Sequence, residues 1–200
     1  MILGVVLAGG QATRMGGGDK GFRTLAGQSL FAHVLDRLTP QVAGVALNAN
    51  GDPARFDTLG LRVLADSLPD FPGPLAGILA GMDWGAQAGA AQIVTVAADT
   101  PFFPRDLVDR LQDAAGRSGV AVAATRRNGV LQRHPTFGLW PVALRDDLRA
   151  ALTGRMRKVT IWVDRHDGGV AEFDTDPFDP FFNINTPQDL ITAGQLAALR

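Results

Sequence analysis

Leu7-Ala8-Gly9-Gly10-Gln11-Ala12-Thr13-Arg14-Met15-Gly16-Gly17-Gly18-Asp19-Lys20-Gly21 closes the apolar run that begins at Ile2. A short β-branched run feeding a glycine-rich stretch reads as a buried strand that opens into a loop. Glycine lets the backbone take φ > 0 and lets N–H groups approach an anion with no Cβ in the way. A loop at the C-terminal end of a parallel strand is also where open α/β sheets bind ligands. Arg14 and Lys20 add a planar guanidinium fork and a compact ammonium, both suited to phosphate. The spacing is not that of a Walker A loop, which needs Gly-Lys-Ser/Thr opening a helix, nor of the dinucleotide fingerprint Gly-x-Gly-x-x-Gly. A bare glycine turn would be structural; the two embedded cations favour phosphate binding.

Working outward, short apolar runs alternate with segments of helical period, which predicts an α/β fold with a mostly parallel sheet covered by helices. Expected strands are Ile2–Leu7, Gly44–Asn48, Arg62–Leu64, Gln92–Ala97, Val120–Arg126 and Thr136–Trp140. Expected helices are Leu30–Leu38, Leu75–Ala88, Asp106–Arg117, Val142–Leu152 and Pro187–Leu199. The last has Thr186 as N-cap, Pro187 at the first helical position and Asp189 three residues after the cap. Asn128-Gly129 predicts a hairpin that interrupts the parallel pattern. Arg155–Asp167 is open: Val159 to Val163 favour a strand by propensity, whereas Val159, Trp162, Val163 and His166 share one helical face. Asp174–Pro180 reads as a surface loop.

The 200 residues fit one domain, 1–200, with no internal repeat or linker. A net charge of −1 gives no general field for nucleic acid or an anionic membrane. The cations are skewed, since all but Lys20 and Lys158 are arginine. Cysteine is absent, which removes disulfides and thiolate metal sites. The first residues lack a basic signal-peptide region and no apolar run reaches membrane-spanning length, so a cytoplasmic protein is expected.

The pattern Leu-Ala-Gly-Gly-x-x-x-Arg-Met-Gly-x-x-x-Lys resembles the nucleotidyltransferases of the nucleotide-sugar pyrophosphorylase superfamily. Within them it is most similar to the molybdenum cofactor guanylyltransferases. The likeness runs along nearly the whole chain, through Asn48-Ala49-Asn50, Asp66, Gly73-Pro74-Leu75-Ala76-Gly77, Asp99-Thr100-Pro101, Arg133-His134-Pro135-Thr136 and Asn183-Ile184-Asn185-Thr186-Pro187 in order. Any one string could arise by chance; the ordered set is specific. Ala98 stands where the family often has cysteine, a thiol that metal binding by a carboxylate does not need. The resemblance implies a Rossmann-like three-layer sandwich of the nucleotide-diphospho-sugar transferase type. It also implies transfer of GMP from GTP, with Mg²⁺, to the phosphate of molybdopterin. The N-terminal half would hold GTP and Mg²⁺ and the C-terminal half the acceptor.

Asp99 follows a strand too apolar to be other than central, so its carboxylate is expected at the crevice as a hard Mg²⁺ ligand. Asn48 and Asp66 also end strands; alone they would be turn formers, but the resemblance puts them in the GTP site with the backbone of Leu7, Ala8, Gly9 and Gly10. The glycines of Gly73–Gly77 are expected to allow close approach to a planar ligand. Arg133, His134, Arg155, Arg157, Lys158, Asn183 and Asn185 are the acceptor-side candidates, Asn183 and Asn185 lying two apart on one side of an extended segment. His33, His134 and His166 have no metal-ligand spacing, and Asp174-Thr175-Asp176 reads as surface.

The reaction expected is an in-line displacement at the α-phosphorus of GTP by an acceptor phosphate that is already ionised, so no strong general base is needed. Catalysis falls to Arg14, Lys20 and Asp99 through positioning and charge stabilisation. Two alternatives stay open: a CTP-dependent enzyme on molybdopterin or another phosphorylated small molecule, and a non-catalytic nucleotide-binding module. Partners are expected to be small molecules, with cofactor-delivering or cofactor-accepting proteins possible, and the chain a monomer or weak homo-oligomer.

Overall fold

The computed structural model describes residues 1–9, 19–68 and 73–198. Arg14 and Gly10 therefore lie outside the described residues. In chain order the elements are β1 (Ile2–Leu7), β2 (Thr24–Leu25), β3 (Gln28–Ser29), α1 (Leu30–Leu38), β4 (Val45–Asn48), β5 (Arg62–Leu64) and α2 (Pro74–Gln87). There follow β6 (Gln92–Ala97), α3 (Leu107–Ala115), β7 (Ala121–Arg127), β8 (Val130–Pro141), α4 (Arg145–Thr153), α5 (Val159–Arg165), β9 (Gly169–Phe173) and α6 (Pro187–Ala197). Among the described residues, seven strands form one sheet in the order β5-β4-β1-β6-β8-β7-β9, and β2 and β3 pair separately. Only β8 runs against its neighbours β6 and β7. The other pairings of this sheet are parallel, and the β2–β3 pair is antiparallel. No helix among the described residues is long and apolar enough to cross a membrane.

Strand alternation divides the core between the two faces of this sheet. Val6, Leu47, Val94, Val96 and Leu139 face α1 and α3, against Phe31, Val34, Leu107 and Leu111. Leu3, Val5, Ile93, Val122 and Trp140 face α2, α4 and α5, against Ile78, Met82, Leu148 and Trp162. The result is the expected three-layer sandwich. α2 comes very close to the sheet because glycine recurs every fourth residue along its inner face. A Cβ on Gly81 would stand 2.7 Å from Ile93 and 2.8 Å from Val5, and one on Gly85 2.9 Å from Val142.

Arg155–Asp167 resolves as the short helix α5, with Val159, Trp162 and Val163 buried on the face that the helical period marks. Its β-branched content loses to burial, as propensity commonly does to tertiary packing. Trp162 Nε1 and His166 Nε2 both reach Asp147 Oδ1 on α4, at 2.9 and 2.8 Å. β8 begins at Val130, six residues before the expected start, with Pro135 inside it. The strand accommodates Pro135 at an irregularity, where the register jumps from Val122–Gly138 to Ala123–His134, and so no ladder donor is required of it. β9 and the β2–β3 hairpin are not anticipated by the sequence reading. The hairpin turns through Ala26 and Gly27, both at positive φ.

The C-terminal segment is anchored by a full capping box: Thr186 Oγ1 accepts from Asp189 N at 3.1 Å while Asp189 Oδ2 accepts from Thr186 N at 2.8 Å. Asp189 also accepts from Asn185 N at 2.9 Å, so the start of α6 fixes the residue before its cap. Thr186→Ala is expected to lower unfolding stability by about 1 kcal/mol. Urea unfolding with an unchanged m-value checks this, and a midpoint equal to that of the parent protein would remove the box from the list of anchors.

Candidate active site

Because β5, β4, β1 and β6 are parallel, their C-terminal ends meet at one edge, and backbone bonds carry the pairing just past the strands. Ala8 N donates to Asn48 O at 2.9 Å, Ala98 N to Leu7 O at 3.1 Å and Ala49 N to Leu64 O at 3.0 Å. Leu7, Ala8, Gly9, Asn48, Asp66 and Asp99 therefore arrive at a common rim, as the sequence reading expects. Asp99 O also accepts from Ile184 N at 2.8 Å, which lays the segment before α6 across the rim. Ile184 is buried between the exposed Asn183 and Asn185, so those two asparagines do share the outer side.

Lys20 is the centre of this arrangement. Its Nζ donates to Asn185 Oδ1 at 2.7 Å and lies 3.5 Å from Asp99 Oδ2. The Asp99 side chain is 20% exposed. Burial pushes its carboxyl up from the ordinary 3.8, and the neighbouring Lys20 only partly opposes that. Thr100 Oγ1 adds a longer contact of 3.4 Å. The chain reaches Lys20 through Gly21, where a Cβ would fall 2.3 Å from the Phe31 ring, so only glycine lets the backbone pass there. Asp19, one residue earlier, is held by Arg55 Nε at 3.2 Å, and Arg55 also donates to Asn50 O at 2.6 Å.

Asn48 and Asp66 are joined rather than independent turn formers. Asn48 Nδ2 donates to Asp66 Oδ1 at 2.9 Å and to Leu64 O at 3.1 Å. Asn50, absent from the expected site, completes the group: its Nδ2 donates to Asp66 Oδ2 at 2.7 Å and its Oδ1 accepts from Asp66 N at 2.9 Å. Its spacing of two from Asn48 was the available signal, because alternate residues of extended chain share a side. Each Asp66 oxygen keeps a lone pair for a further donor such as a base N–H or a ribose hydroxyl. The expectation for the Gly73–Gly77 glycines needs correction at Gly77. Its missing side chain makes room for Asn48, whose Oδ1 would lie 2.2 Å from a Cβ there, and not directly for a ligand.

The acceptor-side candidates fall in three places. Asn185 is at Lys20. His134 and Asn183 line a cavity of about 380 Å³ together with Thr100, Phe181 and Asp179, and Arg133 borders it. Arg133 itself is paired with Asp164 on α5. Arg155, Arg157 and Lys158 line a separate cleft of about 590 Å³ between α4 and α5. The turn that carries them follows α4, which runs back toward the rim from the end of the reversed strand β8, so the cleft opens on the α2 side of the sheet. His134 is stacked 4.4 Å from Phe181 and bonded to Thr125 Oγ1 at 2.9 Å. Burial depresses its pKa, with Asp179 opposing, so it is neutral at pH 7 and serves as a stacking and hydrogen-bonding surface. Among the described residues no group of three or more histidines, cysteines, aspartates or glutamates could enclose a cation.

A family model described as the MobA-like NTP transferase domain matches residues 4–168. A molybdenum cofactor guanylyltransferase from Bradyrhizobium sp. (strain ORS 278) is 51% identical over 199 residues, covering 98% of this chain and 93% of its own. Another, from Mesorhizobium japonicum, is 48% identical over 200 residues, covering 98% and 95%. Among solved structures, molybdopterin-guanine dinucleotide biosynthesis protein A from Archaeoglobus fulgidus shares the fold with TM-score 0.70 at 24% identity over all of both chains. A 4-diphosphocytidyl-2C-methyl-D-erythritol synthase from Anaerococcus prevotii does so with TM-score 0.75 at 14% identity, covering 98% of this chain and 96% of its own. The family model and these relatives make the chain a nucleotidyltransferase. More narrowly, the chain belongs to the MobA-like NTP transferase family, alongside the molybdenum cofactor guanylyltransferases.

The raised Asp99 pKa has a consequence for stability. The folded protein holds this proton more tightly than the unfolded chain does, so stability is lost as pH rises from 3.8 through the raised folded value. An uncharged amide escapes that loss. Asp99→Asn is therefore expected to melt above the parent protein at pH 7 and to converge with it below pH 3.8, where the carboxyl is protonated in both states. Thermal unfolding across this range tests it. A variant that melts lower at pH 7 would mean that the Lys20 contact outweighs burial.

Proposed function

We propose that this protein transfers GMP from GTP to the phosphate of molybdopterin, releasing pyrophosphate and forming molybdopterin guanine dinucleotide. The observation that carries the reading is the rim itself: a lysine held between the strand-end Asp99 and Asn185, beside the Asn48–Asp66–Asn50 group. The names borne by relatives of about half identity over nearly the whole chain support the nucleotide and the acceptor.

On this reading the triphosphate lies across the end of β1, with Leu7, Ala8, Gly9 and Gly10 offering backbone and Lys20 and Arg14 offering charge. Asp66 and Asn48 face the nucleoside, where the free lone pairs of the carboxylate suit the N–H donors of guanine. Lys20 binds phosphate oxygens in exchange for one of its present partners and stabilises the charge that develops on the departing pyrophosphate. The acceptor's phosphate monoester is already ionised at neutral pH, so the protein need only orient it. The 380 Å³ cavity beside Thr100 offers His134 and Asn183 to a planar ring, and Arg155, Arg157 and Lys158 offer charge to an acceptor phosphate.

Asp99 fits a divalent cation: it is a hard oxygen ligand at the rim, and one carboxylate with substrate phosphates and water is a usual Mg²⁺ shell. When bound there, Mg²⁺ would supply charge neutralisation at the phosphates. Every other contribution rests on positioning, since phosphate transfer leaves little covalent chemistry to the protein.

The test is pyrophosphate release by the purified protein with Mg²⁺ and molybdopterin, supplying GTP, CTP or ATP in turn. Release with GTP that depends on the acceptor supports the reading; release with CTP instead moves the protein to the cytidylyl branch, and none with any nucleotide overturns it. Lys20→Ala is expected to lower the rate by about 10²–10³, the cost of one preorganised charge-stabilising donor. A rate within threefold of the parent, on the order of 1 kcal/mol or less, would take Lys20 out of the reaction.

A further inference from the structure

α2 carries a half-buried carboxylate that the mechanism does not use. Asp83 lies one turn from the C-terminal end of that helix, with its side chain 22% exposed. Ser67 Oγ donates to Asp83 Oδ2 at 2.5 Å. Arg149 on α4 donates to both oxygens of the same carboxylate, at 2.7 and 2.8 Å, and Arg145 Nε stands 3.7 Å away.

Ser67 is the residue after Asp66. Asn48 and Asn50 hold Asp66 from the β4 side, and nothing in that group fixes where the chain goes next. Ser67 supplies the second anchor, and Leu68 follows by packing into the core on the α2 face. From the strut the chain of contacts passes through Arg149 into α4, whose C-terminal turn leads directly to Arg155, Arg157 and Lys158.

We infer that Asp83 is a positioning residue: through Ser67 it sets the orientation of the Asp66 loop toward the nucleotide, and through Arg149 it ties that loop to the helix carrying the acceptor-side cations. The inference rests on the reading of Asp66 as a nucleotide ligand. Isolated ion pairs this exposed contribute little to stability. The strut's effect therefore falls on geometry, where a small misplacement costs far more than it does in folding. Asp83 suits the task because its carboxylate accepts from a hydroxyl and from the Arg149 guanidinium at once, with the Arg145 charge 3.7 Å away. An amide would put an N–H₂ against one of those donors.

Equilibrium binding of GTP in the presence of Mg²⁺, measured by calorimetry on the full chain, tests this together with steady-state kinetics. Ser67→Ala, which leaves the Asp83–Arg149 pair intact, is expected to weaken GTP binding by about tenfold, the size of one hydrogen bond to a charged group. It should raise KM with kcat little changed. Ser67→Thr, which keeps the hydroxyl, is expected to restore binding. Introduced into Asp66→Ala, Ser67→Ala should add no further loss, because the two act as one unit. Asp83→Asn should follow Ser67→Ala. If Asp66→Ala binds GTP as the parent does, the nucleotide role of Asp66 fails and this inference fails with it. If Asp66→Ala is weakened while Ser67→Ala and Asp83→Asn are not, or if the losses simply add, the positioning role alone is overturned.

Discussion

One ammonium group joins three parts of the chain that are far apart in sequence. Lys20 Nζ contacts Asn185 across 165 residues and Asp99 across 79. Its place is not a consequence of the ion pair alone. Gly21 lets the backbone slide under Phe31, Arg55 holds Asp19 from the β4 side, and the α6 capping box holds Asn185 in reach. Asp99, for its part, is delivered by β6, the central strand of the seven-stranded sheet, and its backbone carbonyl accepts from Ile184 N. Remove any one of these supports and the carboxylate at the strand end faces burial without a cation, which is costly.

That cost has a chemical use. A carboxylate whose proton affinity is raised by burial, set beside a lysine that can exchange partners, is an under-satisfied pair waiting for charge. On the proposed reading, triphosphate oxygens take the lysine and a hard cation takes the carboxylate, each with little reorganisation because the groups are already held. Burial, with Phe181 stacked on its ring, lowers the pKa of His134 and favours its neutral form.

The parallel strands and the rim they create were largely legible in the sequence, because both follow from local signals. Apolar runs ending in Leu7, Asn48, Leu64 and Ala97 mark strand ends, and the residues just beyond them must face the crevice. Thr186 and Asp189 announced their helix for the same local reason. What escaped was set by distant partners. Nothing near Gly77 reveals that its empty side-chain position is filled by Asn48, and the spacing of Asn50 from Asn48 signals a shared side without naming Asp66 as the partner. β9 is short, begins at the second of two consecutive glycines and lies against α3, where a Cβ on Gly169 would strike the Ala114 carbonyl. The extension of β8 back to Val130 is hidden by exposed polar residues and a proline, features that usually argue against a strand.

This contrast between local and distant signals also separates the two halves of the rim. On the proposed reading, the nucleotide side is built by four parallel strand ends whose spacing the sheet fixes, so short motifs mark its residues. The acceptor side is assembled from a reversed hairpin, a turn between two helices and an extended segment, three structures whose mutual placement depends on packing rather than on a shared ladder. Its candidates therefore scatter: Asn185 joins Lys20, His134 and Asn183 share one cavity, and Arg155, Arg157 and Lys158 another. On that reading the acceptor side can vary while the strand-end edge keeps its ladder, since no hydrogen bond of the β5-β4-β1-β6 ladder passes through the elements that carry the acceptor candidates. Contacts that cross from one side to the other, as Asp83 makes between Ser67 and Arg149, tie the two together.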